Sequence, residues 1–271
     1  MKLVVTKAKT LNAFTWIRQG WRLFTLQPGP FMAMSAILIA ISLFGNLHAI
    51  FGIVIIFMMP FLSAGFYQCA SRAEQGETIT AADVFAYFSQ IQAHKVFIRL
   101  AFVSIVLSIP MTQFAVSFAA DLQLMASGEG TIDLVNASLM IALIWLNFML
   151  LAFAIPAAWI APETDVVTLL KQSFQACWIN VMPLTVYGLI IFALIVISMP
   201  IILVGWLIMY SVSVLSFYQM FLSIYQPETP IKKKKIITND AGEIIRDDET
   251  EVSSEQDTDN EQVSKNNTPD N

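Results

Sequence analysis

The side chains of this sequence that could do chemistry are sparse, and none of the ionisable ones falls deep inside a long apolar segment. Because burying an ionisable group in a membrane is costly, such groups usually mark an ion pathway or a proton relay. What remains inside the apolar segments is a small set of uncharged polar side chains. They are Gln68, Gln113, Asn147, Tyr187, Tyr210 and Gln219. This pattern argues against a proton- or sodium-coupled transporter.

Asn147 is the most central of these polar groups. It could hydrogen-bond to another helix, a contact typically worth about 0.6–2 kcal/mol in a membrane. We interpret it as a packing residue. The alternative gives it a functional role, in which Asn147, Gln68 and Gln219 together line the path of a transported neutral solute.

No pattern of residues predicts catalysis, a cofactor or a metal site. In the topology derived below, His48 and His94 fall on opposite sides of the membrane, so they cannot share a metal. The spacing of Cys69 and Cys177 fits no zinc pattern, and we expect both to be small buried residues. The sequence contains no phosphate-binding glycine loop and neither the H-E-x-x-H nor the G-x-S-x-G motif. We therefore expect a protein that is not an enzyme and binds neither cofactor nor metal.

Composition assigns the chain to the membrane. Hydrophobic residues make up 56% of its 271 residues, charged residues 13%, and the mean hydropathy is +0.66. Soluble domains carry roughly 25% charge. Twelve of the 20 acidic residues and six of the 15 basic residues lie after Pro227, so the preceding part has too few charges to cover a water-exposed surface. Nothing in this balance predicts a nucleic-acid partner.

Six segments are long enough to cross the roughly 30 Å hydrocarbon core as helices. The sequence therefore predicts an all-α membrane protein. The predicted spans are about residues 31–47, 49–70, 96–120, 134–160, 181–199 and 201–221. We interpret the breaks at residues 45–48 and at Pro200 as tight hairpin turns, although a single long kinked helix remains an alternative at Pro200.

The placement of Lys and Arg predicts the orientation, because short cytoplasmic loops carry the positive excess. With six spans and the N-terminus inside, all 15 basic residues lie on the cytoplasmic side and none lies in the three exterior segments. No cleavable signal is evident, so the first span should act as its own insertion signal. We expect a multi-pass protein of a bacterial inner membrane with both termini in the cytoplasm.

A stretch with apolar residues at helical spacing precedes each predicted hairpin. Phe14, Ile17, Trp21 and Phe24 form the apolar side of the first stretch, which is typical of an amphipathic helix lying in the membrane interface. The second opens with a capping box at residues 80–83, and the third follows Asp165.

This order predicts three repeated units at about residues 11–72, 79–162 and 165–224. Because each unit has two spans, successive units enter from the same side and the repeats are parallel. The residues Gly65-Phe66-Tyr67-Gln68 recur as Ser216-Phe217-Tyr218-Gln219, and the middle unit lacks this mark.

Two groups of basic residues could contact lipid headgroups. Arg18 and Arg22 lie on the polar side of the first amphipathic stretch, where they could reach phosphates. Lys232, Lys233, Lys234 and Lys235 follow the last span and could hold anionic headgroups at about 1 kcal/mol per lysine, or act only as a topology anchor. Residues 226–271 are polar and acidic, which predicts a disordered cytoplasmic tail.

Residues 3–225 resemble an uncharacterised family of proteobacterial polytopic inner-membrane proteins. The motifs that carry the resemblance are Trp16-x-x-x-Gly20-x-x-Leu23-Phe24-x-x-x-Pro28, Pro60-x-x-x-x-Gly65, Arg72-x-x-x-Gly76-Glu77, Ser173-Phe174-x-Ala176-Cys177-x-x-Asn180 and Tyr187-Gly188. The resemblance implies a polytopic bacterial inner-membrane protein. It carries over no functional residues.

Our leading hypothesis for the function is a non-enzymatic membrane protein that serves envelope organisation, lipid interaction or assembly of a partner complex. It depends on three interfacial helices and an interior without charge. The expected partners are the lipid bilayer, anionic phospholipids and other membrane proteins. The alternative is a transporter or exporter of a small neutral or hydrophobic solute.

Overall fold

The structure, a computed structural model, describes residues 3–88, 95–128, 130–198 and 204–227, together with two short strands further on. In these residues, six helices are long and apolar enough to cross a membrane. The chain is therefore an all-α, multi-pass membrane protein, which confirms the fold predicted from composition. The two short strands, Ile237–Thr238 and Ile244–Ile245, pair with each other in antiparallel fashion. Apart from these strands and residues 226 and 227, the predicted tail, including the four consecutive lysines, lies outside the described residues.

A short helix precedes two long apolar helices three times along the described chain. The first set follows strand β1 (Leu3–Val5) and comprises α1 (Asn12–Leu26), α2 (Pro28–Gly45) and α3 (Ala49–Glu74). The second comprises a 3-10 helix, η1 (Ala81–Phe88), then α4 (Lys95–Ala126) and a divided helix, α5 (Leu134–Leu151) with α6 (Ala154–Ile160). The third comprises α7 (Val166–Ile179), α8 (Val181–Ser198) and α9 (Val204–Ile224), followed by β2 (Tyr225–Pro227). This is the predicted order of elements.

Local sequence explains where several of these helices begin and end. The turn between α2 and α3 is the predicted hairpin, and the imidazole Nδ1 of His48 accepts the backbone N–H of Ile50 at 3.2 Å. Asp133 and Asp165 cap α5 and α7 in the same way, by accepting first-turn backbone N–H groups. The predicted turn at Pro200 lies outside the described residues.

The short helix of each later set packs on the last long helix of the set before it. At the α3–η1 contact, a Cβ on Gly65 would collide with the backbone carbonyl of Val84. At the next contact, the side chain of Ser173 in α7 enters the break between α5 and α6. Each contact requires close approach of two helices, which a small residue permits.

The first short helix completes this arrangement by packing on the last long one. A Cβ on Gly20 of α1 would lie 2.6 Å from the backbone nitrogen of Ser216 in α9. Strands β1 and β2 also pair in antiparallel register, with Val5 opposite Tyr225. The three sets are therefore closed into a ring, and the two ends of the helical region lie side by side.

The centre of the ring is a triangle of aromatic side chains from α3, α6 and α9. Tyr67 lies 6.2 Å from Tyr218 and 6.4 Å from Trp159, and Trp159 lies 6.1 Å from Tyr218, measured between ring centroids. Tyr67 and Tyr218 belong to the sequence motif shared by the first and third units. Trp159 is the counterpart in the middle unit, where the motif itself is absent.

Burial is concentrated around this triangle, and the far halves of the hairpins are exposed. Phe102, Val106 and Ile109 of α4 are each more than half exposed, as is Phe192 of α8. Large contiguous apolar surfaces of this kind mark contact with a membrane or a partner. The hairpins thus diverge from a packed core and present apolar faces that suit the lipid chains of a bilayer.

Candidate functional site

The first cavity of interest is a groove between α1, α8 and α9, with a volume of about 510 Å³. We call it the α1 groove. Its walls are apolar apart from Arg18 and Ser198. The lining residues are Phe14, Ile17, Arg18, Trp21, Ile190, Leu194, Ser198, Gly205, Ile208, Met209 and Val212. Among these described residues Arg18 alone is charged, and it is exposed.

The shape and lining of the α1 groove suit an amphiphile. A trough of aliphatic side chains along α8 and α9 can receive a hydrocarbon chain. A guanidinium at its α1 wall can hold a phosphate through paired, charge-assisted hydrogen bonds. The groove therefore offers the two contacts that one phospholipid molecule needs.

The second cavity, which we call the polar cleft, lies between α1, α3 and α9 and also measures about 510 Å³. Its lining residues are Gln19, Arg22, Leu23, Leu26, Gln27, Ala73, Glu74, Gly76 and Gln219. The amide nitrogen of Gln219 donates to Glu74 Oε1 at 3.2 Å, and the Tyr218 hydroxyl approaches Glu74 Oε2 at 3.4 Å. The cleft therefore combines a cation and a positioned anion.

The third cavity lies between α5 and α8. In the first two sets, the first long helix packs directly on the second long helix of the neighbouring set. The hydroxyls of Ser35 in α2 and Ser211 in α9 are hydrogen-bonded at 2.6 Å, and Phe102 of α4 contacts Phe57 of α3. At the equivalent place in the third set, α8 is separated from α5 by a cleft. The outer part measures about 390 Å³ and the inner part about 330 Å³.

This α5–α8 cleft leads from the outer surface towards the aromatic triangle. Phe148, Leu184 and Gly188 line both of its parts. The inner part ends against Tyr67 and Tyr187, and the Tyr187 hydroxyl donates to the carbonyl of Ser213 at 2.9 Å. The cleft is almost wholly apolar, so it suits a hydrocarbon chain or a neutral apolar molecule.

A break in the α5–α6 helix lies beside the outer part of this cleft. The Ser173 hydroxyl accepts the N–H of Phe153 at 3.0 Å and donates to the carbonyl of Met149 at 2.8 Å. These are the two groups that would bond directly in an unbroken α-helix. Cys177, one turn further along α7, also lines the cleft, and burial raises the pKa of its thiol to about 12. The thiol is therefore protonated and unreactive at neutral pH.

The structure distributes the residues singled out by sequence over several places. Arg18 lines the α1 groove, while Arg22 and Gln219 line the polar cleft. Asn147 donates its amide to the sulfur of Met111 at 3.1 Å, a contact between α5 and α4, and Gln68 is half-buried in α3. Gln219 lines the polar cleft, and neither Asn147 nor Gln68 lines any of the three cavities described above.

Sequence reasoning missed three residues that shape these cavities. Glu74 is the anion of the polar cleft, Ser173 opens the helix beside the α5–α8 cleft, and Trp159 completes the aromatic triangle. Only Trp159 could have been found from the sequence. Ala157-Ala158-Trp159 can be aligned with Gly65-Phe66-Tyr67, and both segments lie near the end of the second long helix of their set. The other two depend on contacts between distant parts of the chain.

No metal site is evident in the part of the chain that the structure describes. In that part, no three His, Cys, Asp or Glu side chains are grouped so that they could hold an ion. His94 lies outside it. Both cysteines are buried and unpaired, as expected from their sequence context.

Comparison with protein-family models, curated proteins and solved structures finds no match. The family resemblance noted in the sequence therefore stays a prediction.

Proposed function

We propose that this chain is a non-enzymatic, phospholipid-binding protein of a bacterial inner membrane. The observation that carries the proposal is the α1 groove, in which an apolar trough meets Arg18. One acyl chain lies along α8 and α9, and the lipid phosphate lies on the guanidinium. In this position the lipid seals the seam where the first and last helices close the ring.

The binding energy comes chiefly from the headgroup. An acyl chain that leaves the bilayer for the groove exchanges one apolar environment for another, so the hydrophobic gain is small. A charge-assisted contact between Arg18 and a phosphate is not available to the lipid among its neighbours in the bulk bilayer. Arg18 therefore determines whether a lipid stays bound during purification.

The proposed orientation places α1 and both termini on the cytoplasmic side. All 15 Lys and Arg residues of the sequence fall on that side when six spans are counted from an internal N-terminus. The pairing of β1 with β2 supports a common side for the two ends of the helical region. Arg18 would then meet the phosphates of the inner leaflet.

Lipid retention by the Arg18→Gln variant tests this function. The protein is purified in mild detergent, and the phospholipids that remain bound are counted by native mass spectrometry. We expect wild type to retain phospholipid and Arg18→Gln to retain roughly two- to fivefold less, since an exposed contact of this kind is worth up to about 1 kcal/mol.

The matched control is Arg99→Gln, which removes an exposed arginine from α4. It should retain phospholipid as wild type does. If Arg18→Gln and Arg99→Gln both match wild type, or if wild type carries no phospholipid, the proposal is wrong.

The α5–α8 cleft favours a second candidate function, a transporter or exporter of a small neutral or hydrophobic solute. A Cβ on Gly188 would meet nothing within 4 Å, so Gly188→Leu can fill the cleft without a collision at its Cβ. A Cβ on Gly29 also has open space, which makes Gly29→Leu the matched control. If the protein exports neutral dyes from cells, only Gly188→Leu should slow the efflux. Equal efflux from cells with and without the wild-type protein would reject this candidate.

A further inference from the structure

The polar cleft contains an anion whose position is fixed by the core of the protein. Glu74 ends α3, and its two carboxylate oxygens face Gln219 Nε2 at 3.2 Å and the Tyr218 hydroxyl at 3.4 Å. Tyr218 is itself stacked on Tyr67 with an interplanar angle of 20°. A carboxylate has about four lone-pair positions, so two remain for a ligand. Glu74 is therefore a positioned acceptor with spare capacity.

Arg22 supplies the opposite charge to the same cleft. Its guanidinium forms no ion pair with any residue that the structure describes, in contrast with Arg72, which is paired with Glu77 at 2.7 Å and Asp83 at 3.4 Å. Gln19 lies one turn before Arg22 on α1 and lines the cleft as well. An anionic group bound here would meet a cation and an amide donor together.

Hydrogen bonds of Gln27 fix one further wall of the polar cleft, and leucine side chains form an apolar wall. The Gln27 amide donates to the carbonyl of Glu77 at 2.6 Å and accepts the N–H of Ile79 at 3.0 Å, so it ties the end of α1 to the loop after α3. Leu23 and Leu26 line the cleft beside these polar groups. A cleft with one polar and one apolar wall suits the region where a lipid headgroup joins its glycerol.

We infer that the polar cleft binds a zwitterion with a primary ammonium and a phosphate, which is the chemistry of a phosphoethanolamine headgroup. The ammonium donates to Glu74, and the phosphate accepts from Arg22 and Gln19. A quaternary ammonium has no N–H to donate, and an anionic headgroup would face the charge of Glu74 without compensation. This inference deepens the proposed function by naming a headgroup class, and it rests on that function where the zwitterion comes from a lipid.

The test measures headgroup discrimination by the full-length protein. Delipidated protein in detergent is titrated with lysophosphatidylethanolamine, lysophosphatidylcholine and lysophosphatidylglycerol of equal chain length, and bound copies are counted by native mass spectrometry. Wild type should prefer the ethanolamine lipid by roughly two- to fivefold, the range that one exposed ion pair supports. Glu74→Gln, whose amide oxygen can still accept from Tyr218 and Gln219, should abolish that preference. Arg22→Gln should weaken all three lipids similarly, because each carries the phosphate.

Exposed residues elsewhere give the controls, Glu163→Gln and Arg99→Gln, which should keep the wild-type preference. Water-soluble glycerophosphoethanolamine distinguishes the source of the ligand. If it binds with a Glu74-dependent affinity while the lysolipids do not, the site takes a free zwitterion; if the lysolipid also binds, the source is lipid.

The inference is overturned if wild type shows no ethanolamine preference among the lysolipids and no Glu74-dependent binding of glycerophosphoethanolamine, or if Glu74→Gln and Arg22→Gln both leave every measured affinity unchanged. Arg22 is exposed, so its variant tests the cleft even where Glu74→Gln fails to fold. Failure of the broader function looks different. In that case total phospholipid retention, the quantity measured for Arg18→Gln, is absent or independent of Arg18.

Discussion

Ser173 shows how one side chain can take over a backbone contact in a membrane helix. Its hydroxyl stands between the N–H of Phe153 and the carbonyl of Met149, which would otherwise bond to each other. Helices commonly kink where a side chain enters the hydrogen-bond ladder in this way. Pro156, three residues after Phe153, adds to the break because it has no N–H to donate to the carbonyl of Ala152.

Replacing Ser173 with alanine should therefore destabilise the protein. The buried N–H of Phe153 and the partly buried carbonyl of Met149 would lose their shared partner, at an expected loss of about 1–3 kcal/mol in the free energy of unfolding. The measurement is the midpoint of thermal unfolding in detergent. Ser104→Ala is the matched control, because the hydroxyl of Ser104 donates to the carbonyl of Leu100 within its own helix. Equal midpoints for the two variants would show that Ser173 does not support the break.

Of these residues, Pro156 alone carries a signal that is local in the sequence. A proline inside a long apolar segment indicates a bend, because it removes one backbone hydrogen bond from the helix interior. Ser173 comes from another helix, about 20 residues away from the atoms it bonds. Glu74 is likewise defined by Tyr218 and Gln219 on α9, about 145 residues later. Local patterns cannot reveal a partner at such separations.

At the scale of elements, α1 is the helix whose role the structure changes most. Its spacing predicts a helix with Phe14, Ile17, Trp21 and Phe24 on the apolar side. The structure buries a stripe that includes Trp16 as well as the predicted Phe24, and it leaves Phe14 and Trp21 about half exposed. The reason is Gly20, since only the stripe that contains the glycine can approach the backbone of α9. The exposed aromatic residues then line the α1 groove.

Gly20→Ala should disrupt this contact. The added Cβ would lie 2.6 Å from the backbone nitrogen and 2.7 Å from the Cα of Ser216, so α1 must move away from α9. Forcing atoms into a well-packed interface typically destabilises a protein by about 1–3 kcal/mol. We expect a lower midpoint of thermal unfolding and loss of lipid from the adjacent groove. Gly29→Ala, at a glycine with open space around it, should leave both quantities near wild type.

The second short helix, η1, begins where the local sequence motif predicts. The capping box predicted at residues 80–83 is present in part: the N–H of Thr80 donates to Asp83 Oδ2 at 2.8 Å. The element that follows is a 3-10 helix, Ala81–Phe88, rather than the predicted α-helix. Arg72 also reaches Asp83, at 3.4 Å, and connects the start of this helix to the end of α3. The motif located the start of the element, whereas the tighter winding of the 3-10 helix was not foreseen.

At the scale of the whole molecule, composition is sufficient to predict the six spans but does not predict that the three sets close into a ring. Six apolar segments are enough to predict six spanning helices, because the bilayer fixes their length. The closure of the ring depends on Gly20 meeting Ser216 and on Val5 pairing with Tyr225. These pairs are about 200 residues apart, and no periodicity links them. The shared Tyr67 and Tyr218 motif was the only hint of a common centre.

Reporter fusions test the proposed orientation of this ring. Fusions after His48 and near Gly128 should report the periplasm, and a fusion at the C-terminus should report the cytoplasm. These outcomes follow from six spans with every Lys and Arg inside. A cytoplasmic signal from the fusion near Gly128 would break this topology, whatever the other two fusions report.

The central claim is that a phospholipid occupies the α1 groove, and photo-crosslinking in membranes tests it most directly. A phospholipid with a photoreactive group on its acyl chain is incorporated, and the labelled residues are mapped by mass spectrometry. We predict labels concentrated on Trp21, Ile208 and Met209, with strong depletion in Arg18→Gln. Exposed Val106 on α4, which lines none of the three cavities, provides the reference for random contact. Uniform labelling of all lipid-facing helices, unchanged by Arg18→Gln, would contradict the claim.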